Sequence, residues 1–268
     1  MAPGDSLTSR NRPVKGGMEI RYLRNDSVFA CTTMLGVKYG SPQEAGLMTN
    51  AHCTRAINSV TPATVYFNNQ AYTASDSNRI AHETVEPLFT NCGSNGDKCR
   101  PSDAAFAVWD SANAASFGKI ARPTAQGAFN NSSGVGPLTI DPVNPEFSVT
   151  SEAGDPSVGT AVYKVGAETG WTGGPVVKTC VNTTIGTINP PPSFFPTYIA
   201  TCQTSARYGR HKGDSGGPVF RYSGTGDVSL QGIHVSVTYY ISPVRDTLAN
   251  FSRITQLRSD FPTGFATY

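Results

Sequence analysis

The sequence predicts an all-β protein whose strands form barrels or a sandwich, with one helix near the C-terminus. Glycine (27 of 268 residues) and proline (19) are frequent, and charged residues make up 15 %, below the usual ~25 %. Short apolar or alternating runs recur between turn residues, as expected for strands. Many strands at short spacing favour a barrel or a sandwich. The length suits one large domain or two small lobes.

The strands and the helix are predicted from apolar patterns. The predicted strands are 28–37, 45–48, 64–67, 104–109, 161–165, 175–181, 218–222 and 228–237. The predicted helix is capped by Asp246 and ends before Pro262. Its apolar positions recur at near-helical spacing, and they are Leu248, Phe251, Ile254, Leu257 and Phe261.

A change of composition predicts the domain organisation. From about residue 118 to residue 145 the chain is poor in large apolar residues and rich in small and turn residues. We therefore predict an N-terminal lobe over residues 1–120, a connector over 121–146 and a C-terminal lobe over 147–268. The alternative is a long surface loop within one lobe.

The charge balance excludes some classes of partner. Lysine plus arginine (21) against aspartate plus glutamate (19) leaves a net charge of +2, which gives no reason to expect nucleic acid or an anionic membrane. No apolar run approaches the ~18 residues of a membrane span. The first 17 residues are polar and include no apolar signal region, so a secreted form would have lost its leader.

The cysteines indicate the redox compartment. Six are present, with no metal-ligand spacing, and they are Cys31, Cys53, Cys92, Cys99, Cys180 and Cys202. An even count favours three disulfides and an oxidising, extracellular location, and the alternative is a set of free buried thiols. Six cysteines allow 15 connectivities, and chain order suggests the pairs 31–53, 92–99 and 180–202.

The segment Gly213–Pro218 is typical of an activated serine. A serine hydroxyl needs a base to remove its proton and donors to hold the developing negative charge. The flanking glycines permit a sharp turn, so the N–H groups of Gly213 and Ser215 are candidates for an oxyanion hole. The alternative is a glycine-rich hairpin turn.

Two further segments supply candidates for the base and its partner. His52 follows an apolar strand and lies beside Cys53, and histidine is suited to proton transfer near neutral pH. Asp103 opens the apolar run 104–109, where a buried carboxylate needs a partner such as a histidine N–H. The alternatives are a structural histidine and a turn aspartate. Asp97 and Asp110 are competing carboxylates, but neither precedes an apolar run.

Together these segments resemble the chymotrypsin-like (trypsin-like) serine peptidase family. The matching blocks are T-N-A-H-C at 49–53, D-A-A-F-A-V at 103–108 and G-D-S-G-G-P-V at 213–219, in the family's order of histidine, aspartate and serine. Cys31 before the His52-Cys53 pair matches the family's disulfide beside the histidine. The resemblance implies two six-stranded antiparallel β-barrels and a catalytic triad of Ser215, His52 and Asp103.

The second lobe adds a hint of subtype and one departure. Residues 162–173 resemble a stretch of bacterial-type secreted members. In the animal branch, a cleaved N-terminus pairs with the aspartate before the serine. Here Val14 and the next three residues resemble that start only superficially, and Pro13 makes the preceding bond a poor cleavage point. We therefore expect Asp214 to have a different partner.

The resemblance also suggests a substrate pocket. The residue six before the serine, at the base of the pocket, is Gly209 and supplies no charge. His234 in a G-I-H stretch resembles the histidine of glutamyl endopeptidases, and Arg210 and Lys212 would also favour an acidic side chain. In a second register, Val235, Ser236 and Val237 resemble the V-S-W of the animal branch. His234 then leaves the pocket, and a small apolar preference follows.

The expected function is thus a secreted serine endopeptidase. It requires no metal and no cofactor, its partners are polypeptide substrates and protein inhibitors, and it is expected to be a monomer. Two alternatives stay open: a non-catalytic homologue that acts as a binding module, and an esterase or acyl-transfer enzyme on the same fold.

Overall fold

In the computed structural model, the described residues are 4–68, 78–93, 96–110, 116–185, 197–224, 226–239 and 247–267. The strands are β1 Glu19–Arg24, β2 Ser27–Thr32, β3 Leu35–Tyr39, β4 Glu44–Thr49, β5 Val65–Phe67, β6 Arg79–Val85, β7 Thr90–Asn91, β8 Lys98–Arg100, β9 Ala105–Trp109, β10 Lys119–Ala121, β11 Glu146–Glu152, β12 Ala161–Gly166, β13 Gly170–Ile185, β14 Tyr198–Ala206, β15 Pro218–Tyr222, β16 Asp227–Tyr239, β17 Thr247–Arg253 and β18 Phe265–Ala266. The α-helix of these described ranges is α1 Ile254–Asp260, and a 3₁₀ turn covers Ala51–Cys53.

The strands form two sheets, as the all-β prediction requires. The first sheet has the order β18-β3-β4-β9-β6-β5-β1-β2. In the second, six strands pair in the cyclic order β12, β13, β14, β17, β16 and β15, so they close a barrel. The first sheet has barrel-like strands. The predicted fold class, all-β with barrels and a C-terminal helix, is confirmed.

Three short strands belong to the sheet that is built mainly by the other half of the chain. Strands β7 and β8 belong to the second sheet, where β8 runs parallel to β14. Near the C-terminus, β18 returns to the first sheet and pairs with β3. The division into lobes at residues 120 and 147 stays a prediction.

The core follows from the apolar faces of these strands. Its largest cluster includes Phe106, Trp109 and Phe147, all at most 7 % exposed. The ring of Phe147 packs edge-on against Trp171 at 4.9 Å between centroids. The cluster also includes Ile254, Leu257 and Phe261, so the C-terminal helix packs into it.

The predicted helix is wrong in its N-terminal half. Residues 247–253 form strand β17, and the helix begins only at Ile254. Strand β17 is paired on both edges, with β14 and β16, and five consecutive residues in it are buried. A short segment buried on both faces cannot be told from a buried helix by its apolar spacing alone. The proposed cap, Asp246, lies outside the described residues.

The disulfides have the pairing that chain order suggests. Cys31 is bonded to Cys53, Cys92 to Cys99, and Cys180 to Cys202. The first bond ties strand β2 to the 3₁₀ turn that carries His52. In the described part of the chain, no helix has the length and apolar character needed to cross a membrane.

Candidate active site

His52 and Asp103 come together from two neighbouring strands. His52 lies in the 3₁₀ turn after β4, and Asp103 lies just before β9, which pairs with β4. The His52 ring Nδ1 is 2.5 Å from Asp103 Oδ2, and the His52 backbone N–H donates to Asp103 Oδ1 at 3.1 Å. Asp103 is fully buried, while the His52 side chain is 19 % exposed. A buried carboxylate therefore fixes one ring nitrogen and leaves the ring accessible.

Two side chains of strand β1 hold the backbone carbonyl of His52. Arg24 Nη2 donates to His52 O at 2.6 Å, and the Tyr22 hydroxyl donates to the same oxygen at 3.3 Å. Arg24 also donates to the carbonyl of Thr54 through Nε at 3.0 Å. Arg24 carries no local signal of this contact in the sequence, because it lies in β1, 28 positions before His52.

The segment before Ser215 forms a turn that requires glycine. The Asp214 N–H donates to His211 O at 3.1 Å, and Gly213 has φ +102° at the third position of this turn. A positive φ at that position is the mark of a type II turn. Among the hydrogen bonds of the described residues, none is donated by the backbone N–H of Gly213 or of Ser215.

The two carbonyls of this segment are anchored to the first sheet. The Thr32 N–H donates to Ser215 O at 2.7 Å, and the Thr32 hydroxyl donates to Gly213 O at 2.7 Å. The Cys53 sulfur is 3.9 Å from the same Ser215 oxygen. Ser215 therefore lies beside the disulfide that flanks His52.

The Ser215 hydroxyl itself donates to Val235 O at 3.4 Å. The described residues show no hydrogen bond between this hydroxyl and the His52 ring. Hydrogen bonds of this kind are often long or poorly aligned before a substrate binds. His52 and Ser215 thus both lie beside the Cys31–Cys53 disulfide, and their side chains are not hydrogen-bonded to each other in this structure.

Asp214 has an internal partner, as expected from the departure noted above. Lys164 Nζ lies 2.9 Å from Asp214 Oδ2, and both side chains are fully buried. The backbone N–H groups of Glu168 and Thr169 donate to Asp214 Oδ1 at 3.0 Å each. Burial opposes ionisation of Asp214, but the Lys164 ammonium and the hydrogen bonds outweigh it and lower the pKa of Asp214. Burial lowers the pKa of Lys164.

Of the residues expected in the substrate pocket, Arg210 alone lines a surface cavity in the described part of the chain. Arg210 and His211 line a cavity of about 270 Å³, together with Glu168 and Ser133. Gly209 is buried, and a Cβ there would lie 1.7 Å from the carbonyl oxygen of Gly134. Glycine is therefore required at position 209 by a close backbone approach, not by an open pocket floor. Lys212 is exposed.

His234 is buried against a tyrosine. Its ring Nδ1 is 3.1 Å from the hydroxyl of Tyr208, and its side chain is 2 % exposed. Burial, together with the Lys164 charge, lowers the pKa of His234 to about 3. Burial also raises the pKa of Tyr208 far above its usual range. Both groups are therefore neutral near neutral pH, and His234 does not face solvent.

Strand β16 continues from His234 through the other candidate pocket residues. The His234 backbone exchanges hydrogen bonds with the segment after the serine, since its N–H donates to Gly217 O and its carbonyl accepts from the Gly216 N–H. Val235 is fully buried. Ser236 and Val237 pair with Asn250 and Ala249 of β17.

A competing carboxylate and a cluster of potential metal-ligand atoms also occur in the described residues. Asp110, the competing carboxylate, pairs with Arg79 and His82 on the surface of the first sheet. The donor atoms of Cys31, His52 and Cys53 lie within 4.8 Å of one another. The two sulfurs are joined in a disulfide, so they offer no thiolate to a metal ion.

Comparisons with known proteins agree with this fold. A scan against protein-family models and a search of curated proteins gave no match to the chain. Among solved structures, a glutamic acid specific serine protease that uses a histidine triad in substrate binding has a TM-score of 0.58 at 17 % identity, covering 95 % of this chain and 100 % of its own. Thermobifida fusca protease A has a TM-score of 0.53 at 19 % identity, over 95 % and 98 % of the two chains. Nocardiopsis protease has a TM-score of 0.52 at 16 % identity, over 94 % and 97 %. The chain therefore has the chymotrypsin-like fold of bacterial serine proteases.

Proposed function

We propose that this chain is a secreted serine endopeptidase with Ser215 as nucleophile, His52 as general base and Asp103 as the carboxylate that orients the histidine. The observation that carries the proposal is the buried Asp103 carboxylate on His52 Nδ1, at 2.5 Å. The second ring nitrogen is left free for a serine proton. The backbone N–H groups of Gly213 and Ser215 support the proposal further. They donate no hydrogen bond among the described residues, so they can bind the negatively charged oxygen of the reaction intermediate.

The reaction is acyl transfer in two halves. The Ser215 oxygen forms a bond to the peptide carbonyl carbon while its proton passes to His52 Nε2. The N–H groups of Gly213 and Ser215 hold the carbonyl oxygen as it becomes negative. His52 then gives the proton to the leaving amine as the C–N bond breaks. Water attacks the acyl-enzyme in the same way, with His52 as base, and the acid is released.

An acidic side chain before the cleaved bond is the preference that the pocket supports best. His234 is neutral and carries one ring proton. With the Tyr208 hydroxyl donating to Nδ1, that proton lies on Nε2, which can donate a hydrogen bond to a carboxylate. Arg210 adds positive charge at the neighbouring cavity, and Lys212 adds it on the surface. The glutamic acid specific neighbour uses a histidine triad, whereas Tyr208 stands beside His234 in this chain.

The first register places His234 in the pocket. The contact of His234 with Tyr208 supports this register, because Tyr208 precedes Gly209, the residue expected at the base of the pocket. The second register, with a small apolar preference, predicts that His234→Ala leaves the preference unchanged. Profiling on peptides that differ only in Glu, Ala or Lys before the cleaved bond distinguishes the two. Retention of a Glu preference in His234→Ala would refute the role of His234.

Location and partners follow from the same proposal. Three disulfides suit an extracellular protein. Its partners are polypeptide substrates and protein inhibitors, and it acts as a monomer without metal or cofactor. Residues 1–120 and 147–268 form the two lobes that carry the triad, joined by the connector 121–146.

The direct test is labelling with a fluorophosphonate probe at mildly alkaline pH. The wild type and Ser157→Ala, which alters an exposed serine, should be labelled, while Ser215→Ala should not. No labelling of folded wild type would favour the alternative function, a binding module on the same fold. Labelling with hydrolysis of esters but not of peptides would instead indicate an esterase.

A further inference from the structure

A buried arginine lies three residues before Asp103. The Arg100 side chain is 2 % exposed. Its Nε donates to Ser102 O at 2.8 Å and its Nη2 donates to Ala104 O at 2.9 Å. The two accepting carbonyls belong to the residues on either side of Asp103. One rigid guanidinium therefore fixes the main chain before and after this aspartate.

The C-terminal helix holds the same segment. Asp260, the last residue of α1, accepts hydrogen bonds at Oδ2 from the Ser102 N–H at 2.8 Å and the Ser102 hydroxyl at 2.6 Å. The same oxygen is 3.4 Å from Arg100 Nε. The helix end thus contacts both the arginine and the residue before Asp103, 158 positions away in sequence.

The main chain of Asp103 itself has further anchors on the side of His52. Its carbonyl accepts from Asn50 Nδ2 at 2.6 Å, and its N–H donates to the Ser252 hydroxyl at 3.2 Å. Because the carboxylate makes two hydrogen bonds to His52, any shift of residues 102–104 is transmitted to the histidine. Displacements of about 1 Å in a catalytic group can cost about 100-fold in rate.

The charges of the pair matter as well. Arg100 is close enough to Asp103 for their charges to interact, and a lone buried cation there would compete with the imidazolium for the carboxylate. Asp260 supplies a compensating negative charge in contact with Arg100. Glu86 also faces Arg100, but burial raises its pKa to about 8, so it is protonated at neutral pH.

We propose that Arg100 and Asp260 are positioning residues for Asp103, through which the C-terminal helix fixes the catalytic dyad. This inference rests on the proposed function, since it concerns the same site. It assigns a role in catalysis to a helix that contributes no residue to the triad. The structural alternative is that the pair only stabilises the docking of α1.

The test compares two aspartates that tie opposite ends of the same helix. Asp260→Ala removes the contact at the C-terminal end. Asp155→Ala is the matched control, because Asp155 accepts a hydrogen bond from Thr255 at the start of α1 at 2.6 Å and also contacts Arg253. Four proteins are assayed on one peptide amide substrate, each well below its melting temperature: Asp260→Ala, Asp155→Ala, Asp260→Asn and the wild type. The readouts are kcat, KM, the pH profile of kcat/KM and the low-field proton resonance of the His52–Asp103 hydrogen bond.

Asp260→Ala is expected to lower kcat by about tenfold to 100-fold with KM nearly unchanged, and to shift or broaden the low-field resonance. Asp260→Asn, which keeps an acceptor for Ser102, should recover part of the loss, and Asp155→Ala should lower only the melting temperature. If Asp260→Ala does not fold, Asp260→Asn decides, with a kcat at least threefold below wild type expected. Equal kcat in the Asp260 and Asp155 variants and the wild type would overturn the proposal. An inactive wild type that no fluorophosphonate labels would instead reject the proposed function.

Discussion

Substitution of Lys164 by methionine removes the ammonium that contacts Asp214, and it should lower both stability and kcat. The two side chains are fully buried and 2.9 Å apart. Methionine is of similar length and leaves the Asp214 carboxylate buried without its cation. The aspartate lies between Gly213 and Ser215, whose N–H groups form the proposed oxyanion hole, so its displacement moves both donors.

The magnitude follows from the contacts that remain. Removing one partner of a buried ion pair costs about 3–5 kcal/mol. Asp214 keeps hydrogen bonds from the N–H groups of Glu168, Thr169 and His211 and from the Thr169 hydroxyl, so we expect the lower end of that range. At about 2–4 °C per kcal/mol for a protein of this size, the melting temperature should fall by roughly 6–12 °C. Loss of one oxyanion donor costs about 100-fold to 1000-fold in kcat.

The assay is steady-state hydrolysis of a peptide p-nitroanilide, at least 15 °C below the melting temperature of the variant. Lys38→Met, which alters an exposed lysine of the first sheet, is the control and should change neither quantity. The double variant Lys164→Met/Asp214→Asn removes the uncompensated charge and should regain part of the stability, which measures the coupling of the pair. A Lys164→Met protein with kcat within twofold of wild type would refute the reasoning that this ion pair supports the oxyanion hole.

Three further predictions concern other buried groups. Burial raises the pKa of Glu86 to about 8, against about 4.3 when unfolded. The free energy of unfolding of the wild type should therefore decline by up to roughly 4 kcal/mol as pH rises from about 4.5 to about 8. Urea unfolding at a series of pH values should show a flatter decline for Glu86→Gln. Parallel pH profiles for the two proteins would contradict the raised pKa of Glu86. Tyr208→Phe leaves Nδ1 of His234 without its partner and should reduce the ratio of kcat/KM for Glu over Ala substrates by about tenfold. It should also lower the free energy of unfolding by about 1–3 kcal/mol. An unchanged ratio would show that Tyr208 has no role in specificity. Gly209→Ala places a Cβ 1.7 Å from Gly134 O and should cost about 1–3 kcal/mol, which thermal unfolding can measure; an unaltered melting temperature would argue against this close approach.

Local patterns were sufficient for most of the strands. The runs 45–48, 104–109, 161–165 and 218–222 match β4, β9, β12 and β15 to within a residue or two at each end, because alternation and turn residues are properties of neighbouring positions. The run 28–37 is divided into β2 and β3. The helix was predicted too long, since the apolar residues of strand β17 (Leu248 and Phe251) and those of α1 (Ile254 and Leu257) recur at one helix-like spacing across the boundary. Chain order alone gave the disulfide pairing, as each bond closes a loop of nearby cysteines.

The sequence by itself determined the all-β class, the three blocks around His52, Asp103 and Ser215, and the expectation that Asp214 needs a partner. Only the tertiary structure decided which partner that is, because Lys164 is 50 positions away and carries no local sign of an ion pair. The same holds for Asp260 beside Ser102 and for Tyr208 beside His234. Buried charges and buried ring nitrogens need partners for energetic reasons, and a sequence shows the need, whereas the folding of distant strands onto each other determines which side chain meets it.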